Sequence, residues 1–360
     1  MRAKTVWIGL LLSFVCLGFF VWKAEWRGIG LAFVEVDPWA VAVAAFCILL
    51  SLPGRAWRWK FLLGPYRTAS FRHRLTTTAI GFMGNCVFPG RLGEPLRCLM
   101  LSKLEPRVTF TAALATIVME RVFDLAATLV ALVVFLIGSP LAASADATRA
   151  DLFQKLRFFG WVFAGGLVVT SAVLLVIARR RGRGDAGVSR LGRLVPDAVR
   201  RGASALLASF ADGLESLRSP SALALSLCFT VVVWLAILLC NFFMLRAFGF
   251  ADLGLLPALG LMVVLCFAVA LPQAPGYIGV AQIASETTLT GLYGVPAARA
   301  QAFAIALWAC QLVPIVVAGI VAVWVEGLSF SDVRGGGVTG PSPHPIRGPR
   351  EPAATKTSRA

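Results

Sequence analysis

Apolar runs long enough to cross a bilayer recur along the whole chain, and they constrain its fold more than any other feature. A helix needs about 20 apolar residues to span the roughly 30 Å hydrocarbon core. Hydrophobic residues make up 58% of the sequence and charged residues only 14%, whereas soluble domains carry about 25% charged residues. The runs are continuous and do not alternate, which argues against a membrane β-barrel. The sequence therefore predicts an all-α polytopic membrane protein.

Six of these runs are predicted to be full spans. They cover about residues 6–22, 39–56, 111–138, 158–178, 221–245 and 301–325. No small-residue cleavage site follows the first run, so we interpret it as a retained signal anchor. Residues 139–157 are nearly charge-balanced and are predicted to form a short external loop.

Two further stretches, 75–103 and 255–291, are each broken by the signature Pro-Gly-x-(Leu or Ile)-Gly. Its copies are Pro89-Gly90-Arg91-Leu92-Gly93 and Pro275-Gly276-Tyr277-Ile278-Gly279. Irregular backbone at membrane depth is tolerated only where it is buried in protein or lines a water-filled cavity. We therefore predict two re-entrant hairpins of short half-helices. Their predicted hinge residues are Pro89, Gly90, Gly93, Pro275, Gly276 and Gly279.

Basic residues indicate how the chain is oriented. Residues 55–74 hold six Lys and Arg and no acidic residue, and residues 179–201 hold eight Arg. The positive-inside rule places both segments in the cytoplasm, with Trp57 and Trp59 in the interfacial belt. The first hairpin then enters from the cytoplasm and the second from outside. The halves 39–138 and 221–325 are thus predicted to form an inverted repeat, as in many transporters.

The domain organisation follows from this topology. Residues 1–328 are predicted to form one integral membrane domain. A cytoplasmic linker at 179–220 contains an amphipathic helix at 203–217, and residues 329–360, rich in Gly, Pro and Arg, are predicted to be a disordered cytoplasmic tail. We expect a multi-pass protein of the bacterial inner membrane with both termini in the cytoplasm.

Polar residues within the broken stretches and beside them are the candidate site. Ionisable residues at membrane depth are costly and therefore indicate function. The predicted substrate-binding residues are Asn85, Arg91, Glu94, Arg97, Glu120, Arg121, Asp124, Gln282 and Glu286. The arginines would attract a phosphate, helped by the positive ends of the half-helices, and the acidic residues would balance these charges or contact a cationic headgroup. The alternative is that the same residues form internal ion pairs that hold the hairpins in place.

Several other kinds of site are not predicted. The net charge of +16 comes from basic residues beside apolar runs, so we do not expect nucleic acid as a partner. The two histidines, His73 and His344, lie apart, and the eight cysteines include no Cys-x-x-Cys pair. We therefore predict no metal site, no cofactor and no catalytic residues, and we find no nucleotide-binding motif.

Three segments resemble a known family, the lysylphosphatidylglycerol synthase transmembrane family. Residues 85–97, NCVFPGRLGEPLR, are similar to its N-x-x-x-P-G-R-x-G-E-x-x-R element. Residues 120–124, ERVFD, resemble its E-R-x-x-D element, and residues 275–279 resemble its second P-G-x-x-G turn. The resemblance covers about residues 5–328. It implies a flippase-like domain, as in the membrane half of the multiple peptide resistance factor.

One departure from the family pattern is Pro95, directly after Glu94. Residues 326–360 leave no room for a soluble aminoacyl-transfer domain, so we do not expect lysyl transfer. The second signature has Val280 where the first has Glu94, so the two turns are not chemically equivalent.

The leading hypothesis is a translocase that moves a phospholipid or a lipid-linked headgroup through a polar cavity between the repeats. The expected partners are membrane lipids and a separate lipid-modifying enzyme. The alternative is an integral-membrane transferase or hydrolase that acts on a lipid-linked substrate, with paired carboxylates as acid and base. A third hypothesis, a scaffold that recruits a partner through the basic loops, leaves the broken hairpins unexplained.

Overall fold

A computed structural model gives the fold and describes residues 15, 17–64, 68–88, 91–139, 147–180, 219–250, 252–270 and 275–328. In chain order its helices are α1 (Trp26–Val34), α2 (Pro38–Leu62), α3 (Phe71–Val87), α4 (Gly93–Leu104), α5 (Phe110–Gly138), α6 (Ala147–Arg180), α7 (Pro220–Ala247), α8 (Leu255–Ala270), α9 (Val280–Tyr293) and α10 (Ala297–Val325). The described ranges contain no strand. By length and composition, α2, α5, α6, α7 and α10 could each cross a membrane, which confirms the all-α polytopic class.

Local sequence explains where the long helices begin. The Asp37 side chain accepts a hydrogen bond from the Trp39 N–H at 2.9 Å, and Pro38 takes the first position of α2. Ser219 and Pro220 repeat this arrangement at α7. A side-chain oxygen at this position satisfies an otherwise free N–H group, and a proline has no N–H to satisfy.

Each Pro-Gly stretch forms a hairpin of two short helices. In the first, Gly81 faces Arg97 and Gly84 faces Gly93, so α3 and α4 run antiparallel. In the second, α8 and α9 are separated by a 3₁₀ turn at Pro275–Tyr277. The longest of these four helices, α3, has 17 residues and reaches about 26 Å at 1.5 Å per residue. None of them therefore spans a hydrocarbon core of roughly 30 Å on its own.

The two halves pack on each other in matching ways. Helices α2 and α7 form the most extensive contact and run antiparallel, with the Asp37 N–H bonded to the Ala247 carbonyl at 2.9 Å. Helices α2 to α5 of the first half correspond in order to α7 to α10 of the second half. The contact of α3 with α10 therefore has its counterpart in the contact of α8 with α5. Likewise α4 packs on α5 as α9 packs on α10. The partners are thus preserved when the halves are exchanged, which supports the inverted repeat, although the repeat stays a prediction.

The predicted external loop at 139–157 is wrong over its second part, because α6 already begins at Ala147. Two features of this segment favour a helix. Asp151 and Lys155 form an ion pair four residues apart, which stabilises a helical turn. Phe153 and Leu156 are buried in a cluster with residues of α5 and α8. The prediction considered charge balance alone and overlooked these two buried side chains.

Several predictions fall outside the described residues. They are the hinge residues Pro89 and Gly90, the linker over 181–218 with its amphipathic helix at 203–217, the tail at 329–360 and the first run up to residue 14. Residues 17–23 at the end of that first run are helical. The short helix α1, which follows them, was not predicted.

Candidate functional site

The two signature turns share an unusual backbone conformation. Arg91 and Tyr277 occupy the same variable position of the signature, and their φ angles are +57° and +59°. Positive φ is uncommon for a residue that is not glycine, and such residues cluster at functional sites. Within the described residues, these two are the non-glycine residues with positive φ. The repeated signature therefore gives its variable residue the same backbone conformation in both copies.

The last glycine of each signature is required for a different reason. A Cβ atom on Gly93 would collide with the Gly81 carbonyl oxygen of α3, so the close approach of α3 and α4 depends on it. Gly279 has a φ of +84°, a conformation that glycine adopts without steric cost. A cap follows directly, since the Gly279 N–H donates to the Gln282 side chain at 2.7 Å.

A cavity of about 430 Å³ lies where the two turns meet. Its walls come from both halves and include both variable turn residues, Arg91 and Tyr277. Five of the predicted substrate-binding residues line it, namely Asn85, Arg91, Glu94, Arg121 and Asp124. The volume falls in the range of roughly 300–1,000 Å³ that is usual for small-molecule sites. The structure thus brings these five together in one space.

The charges that face the cavity form a connected set. Arg121 lies 3.1 Å from Asp124 and 3.6 Å from Glu94. Arg55 approaches Asp124 at 4.0 Å, and its guanidinium lies 4.6 Å from the ring centre of Phe82. Arg91 bridges the halves by donating to the Val269 carbonyl of α8 at 2.6 Å. These cations therefore keep N–H groups near the space in which a ligand would sit.

Behind the cavity, Arg97 and Glu120 form a fully buried ion pair. Two hydrogen bonds of 2.8 and 3.2 Å join the guanidinium to the carboxylate, and Arg97 also stacks on the Trp59 ring at 3.7 Å. Arg58 lies 3.6 Å from Glu120 and donates to Asp124 at 2.6 Å. Neither Arg97 nor Glu120 lines the cavity. Their placement fits the alternative left open by the sequence, that of ion pairs holding the hairpin.

The two predicted residues of the second half lie away from the cavity. Gln282 is 4% exposed and caps α9. Glu286 accepts a hydrogen bond from Gln301 of α10 at 2.9 Å, and Gln301 in turn accepts the Glu25 N–H at 3.1 Å. The structure does not bring Gln282 or Glu286 together with the charges of the first half.

Sequence reasoning missed several residues at this site. Arg55 and Arg58 were placed at the cytoplasmic end of the predicted span 39–56, but α2 continues through Pro53 to Leu62, which carries both into the protein. The interfacial position predicted for Trp59 is wrong, because its side chain is fully buried and donates to Thr116 at 2.7 Å. The spacing of Arg55 and Arg58, three residues apart, was the available signal, because it places both on one helix face.

Aromatic residues of the second half complete the walls, and they were also missed. Trp234 of α7 donates to Asp124 at 3.3 Å. Trp308 of α10 donates to the carbonyl of Gly276 at 2.7 Å. Both residues line the cavity together with Tyr277.

The fold and the cavity define an α-helical integral membrane protein with a cavity between its two halves that is lined by charged residues. Residues 6–319 match the family described as lysylphosphatidylglycerol synthase TM region. The chain therefore belongs to this family of membrane, flippase-like domains, as its motifs predicted.

A glycosyltransferase, AglD of Haloferax volcanii, is similar to this chain. The two are 26% identical over 345 residues, which cover 89% of this chain and 54% of the relative. The chain thus spans about half the length of this curated relative. No solved structure matches the chain.

Proposed function

We propose that the protein is a lipid translocase whose cavity binds the headgroup of an anionic phospholipid or lipid-linked substrate. The observation that carries this proposal is the cavity lined by charged residues that lies where the two Pro-Gly turns, one from each half, meet. Sites between repeats, bordered by broken helices, are typical of transporters. A movement of one half against the other would expose such a cavity to each side in turn.

The balance of charge indicates an anion. Among the described residues, the charged groups at the cavity and directly behind it comprise five guanidinium groups and three carboxylates. They are those of Arg55, Arg58, Arg91, Arg97 and Arg121, against Glu94, Glu120 and Asp124. Uncompensated charge at membrane depth is costly, and a bound phosphate would reduce the excess. Arginine is well suited to this because its planar guanidinium can donate two parallel hydrogen bonds to a phosphate.

Asn85 indicates a second feature of the headgroup. Its side chain lines the cavity and is 9% exposed, yet its Oδ1 atom has no hydrogen-bond partner. A buried acceptor without a partner costs about 1–3 kcal/mol. A hydroxyl or ammonium group beside the phosphate would satisfy it. We therefore expect a headgroup that carries a hydrogen-bond donor as well as the phosphate.

On this proposal the protein lies in the bacterial inner membrane, with both of its termini in the cytoplasm. The antiparallel packing of α2 and α7 is compatible with that orientation, since residues 55–62 and 220–230 then lie at the same face. A cysteine introduced at position 107, in the exposed loop between α4 and α5, tests this orientation. Its labelling by a membrane-impermeant reagent is compared in intact cells and in lysed cells. Labelling in intact cells would contradict the cytoplasmic assignment of this loop.

Reconstitution tests the translocase directly. Purified protein is placed in vesicles that contain fluorescent phosphatidylglycerol, phosphatidylcholine or aminoacylated phosphatidylglycerol, and a membrane-impermeant reductant bleaches the exposed dye. We expect headgroup-selective loss of inner-leaflet protection that disappears in Arg91→Ala. Arg157→Ala, at an exposed position of α6, is the matched control and should exchange lipid at the wild-type rate. Absence of exchange for every lipid would sink the proposal.

An enzyme is the second candidate, because the relative from Haloferax volcanii is named a glycosyltransferase. On this hypothesis Glu94 and Asp124, which line the cavity, would act as acid and base on a lipid-linked substrate. Incubation of purified protein with a radiolabelled sugar donor and lipid acceptor separates the candidates. A glycosylated lipid that is lost in Asp124→Asn would favour the enzyme, and its absence beside active exchange would favour the translocase.

A further inference from the structure

An apolar groove of about 860 Å³ lies between α5, α7 and α8, beside the charged cavity. Its walls are almost entirely hydrocarbon and include Ala127 and Val134 of α5, Leu227 and Val231 of α7. Val231 is 66% exposed and Leu227 is 50% exposed. The groove therefore opens toward the lipid that surrounds these helices.

Trp234 borders both spaces. Its side chain lines the charged cavity and also the apolar groove, while its indole N–H donates to Asp124 inside the cavity at 3.3 Å. Thr230, one helical turn before it, lines the groove and accepts a hydrogen bond from Arg58 at 3.3 Å. One wall of the groove thus ends in the ion network of the candidate site.

The dimensions of the groove suit one hydrocarbon chain. The part of α7 that lines it runs from Ala224 to Leu238, which is about 21 Å at 1.5 Å per residue. One leaflet of the hydrocarbon core is about 15 Å thick, half of roughly 30 Å. A chain whose headgroup lies in the cavity could therefore extend along the groove over the depth of a leaflet.

We propose that this groove holds one hydrocarbon chain of the lipid whose headgroup occupies the cavity, with Trp234 as the wall that separates them. The inference rests on the proposed function and adds the lateral route by which the lipid enters, between α5 and α7. A hydrocarbon chain gains little by leaving lipid for an apolar groove, since both environments are equally apolar. Occupancy of the groove must therefore depend on the headgroup site, and this dependence distinguishes a substrate chain from surrounding lipid.

Photolabelling tests the proposal on the full chain in vesicles. The probe is phosphatidylglycerol with a diazirine in one acyl chain, at trace level in phosphatidylcholine, and labelled peptides are mapped by mass spectrometry. We expect labelling of residues 123–134 and 227–238 above that of the exposed face of α6 at 158–173. Arg91→Ala removes a guanidinium from the headgroup site together with its hydrogen bond to the Val269 carbonyl of α8. It should lower labelling of the groove to the level of α6.

Two filling variants and one control complete the design. Ala127→Phe narrows the groove from α5, and Val231→Trp narrows it from an exposed position where a larger side chain does not disturb the packing. Both should lower labelling of the groove to the level of α6. Ala172→Phe, at an exposed position of α6, adds the same ring elsewhere and should change nothing.

The outcomes separate the groove from the translocase. Equal labelling of the groove and α6, or groove labelling that persists in Arg91→Ala and in both filling variants, overturns the inference and points to ordinary surrounding lipid or another occupant. Lipid exchange measured on the same vesicles reports the proposed function independently. Active lipid exchange without groove labelling would support the translocase and overturn the proposed chain site in the groove. Groove labelling that depends on Arg91, without exchange, supports the groove as a lipid site and removes the translocase.

Discussion

The variable residues of the two Pro-Gly turns share a backbone conformation but differ in chemistry. Arg91 and Tyr277 share a positive φ at equivalent positions, but the first is followed by Glu94 and Arg97, and the second by Val280. The first turn is held through the Arg91 side chain, which bonds α8 of the other half. The second is held through its own backbone, because the Gly276 carbonyl accepts from Trp308.

This difference separates architecture from chemistry within the repeat. The glycines of the signature and the positive φ at its variable position are common to both copies. The charged side chains occur in the first half alone among the described signature residues, and the second half contributes aromatic walls. We infer that the first hairpin binds the headgroup and that the second shapes the space around it.

The largest expected difference between the halves concerns two glutamates. Glu120→Gln removes the carboxylate that neutralises buried Arg97, and breaking one side of a buried ion pair costs about 3–5 kcal/mol. Glu286→Gln leaves an amide oxygen that can still accept from Gln301, so we expect a loss below about 1 kcal/mol. Thermal unfolding of both variants in detergent measures the difference. Equal losses of stability would break the comparison.

The turn residues themselves provide the next test. Arg91→Gly and Tyr277→Gly both relieve a positive φ that costs about 1–2 kcal/mol per residue, but only Arg91→Gly removes a charge. A hydrogen bond to a charged group contributes about 1.5–3 kcal/mol, which is about tenfold or more in affinity. Exchange of fluorescent phosphatidylglycerol should fall by that factor in Arg91→Gly and less in Tyr277→Gly. A greater fall in Tyr277→Gly would reverse the assigned roles.

A smaller effect is expected at the anchor of the second turn. Trp308→Phe keeps an aromatic wall but leaves the Gly276 carbonyl without its indole donor, which costs about 1 kcal/mol. Amide hydrogen exchange of residues 275–279 should become faster, with little change in residues 91–97. Trp161→Phe, at a position 79% exposed on α6, is the control. Unchanged exchange at 275–279 would show that Trp308 does not anchor this turn.

The smallest effect lies at the base of the first hairpin and depends on pH. Burial alone raises the pKa of Glu105. This effect is outweighed by hydrogen bonds from the Ser70 N–H at 2.8 Å and with His73 at 2.7 Å, and by the charge of Arg74. The pKa of Glu105 therefore lies below its ordinary value of 4.5. A lowered folded-state pKa stabilises the protein above the unfolded-state pKa, and this contribution is lost as pH falls through the folded-state value. Thermal stability should therefore fall on acidification below about pH 4.5, and Glu105→Gln should remove this component. An identical acid profile in Glu105→Gln would exclude Glu105 as its source.

The sequence predicted the fold well where the signal was local. Continuous apolar runs indicated the long helices, and the Pro-Gly signature indicated both hairpins, because proline and glycine disrupt helices through their own backbone properties. The motif around Arg91 and Glu94 identified one part of the cavity wall. These features depend on the residues themselves and on their near neighbours.

What the sequence did not predict depends on packing between distant segments. Charge counting placed Arg58 at the cytoplasmic face, since nothing near it in sequence reveals that Asp124, 66 residues later, lies within hydrogen-bond distance. Glu286 was placed at the site by its spacing from Gln282, whereas its partner Gln301 lies on α10. Only the capping role of Gln282, three residues after Gly279, followed a local pattern that could have been recognised.

The separation of Arg58 from its partners also has a consequence for biogenesis. Helix α2 leaves the ribosome well before α5, so Arg58 meets the membrane while Glu120 and Asp124 are not yet made. Arg58 lies near the C-terminal end of α2, where an unpaired arginine costs less than the roughly 2.5–3.5 kcal/mol that insertion costs at the centre of a span. We therefore expect α2 to remain beside the translocon until α5 arrives, so that α2, α3, α4 and α5 are released into the bilayer as a group.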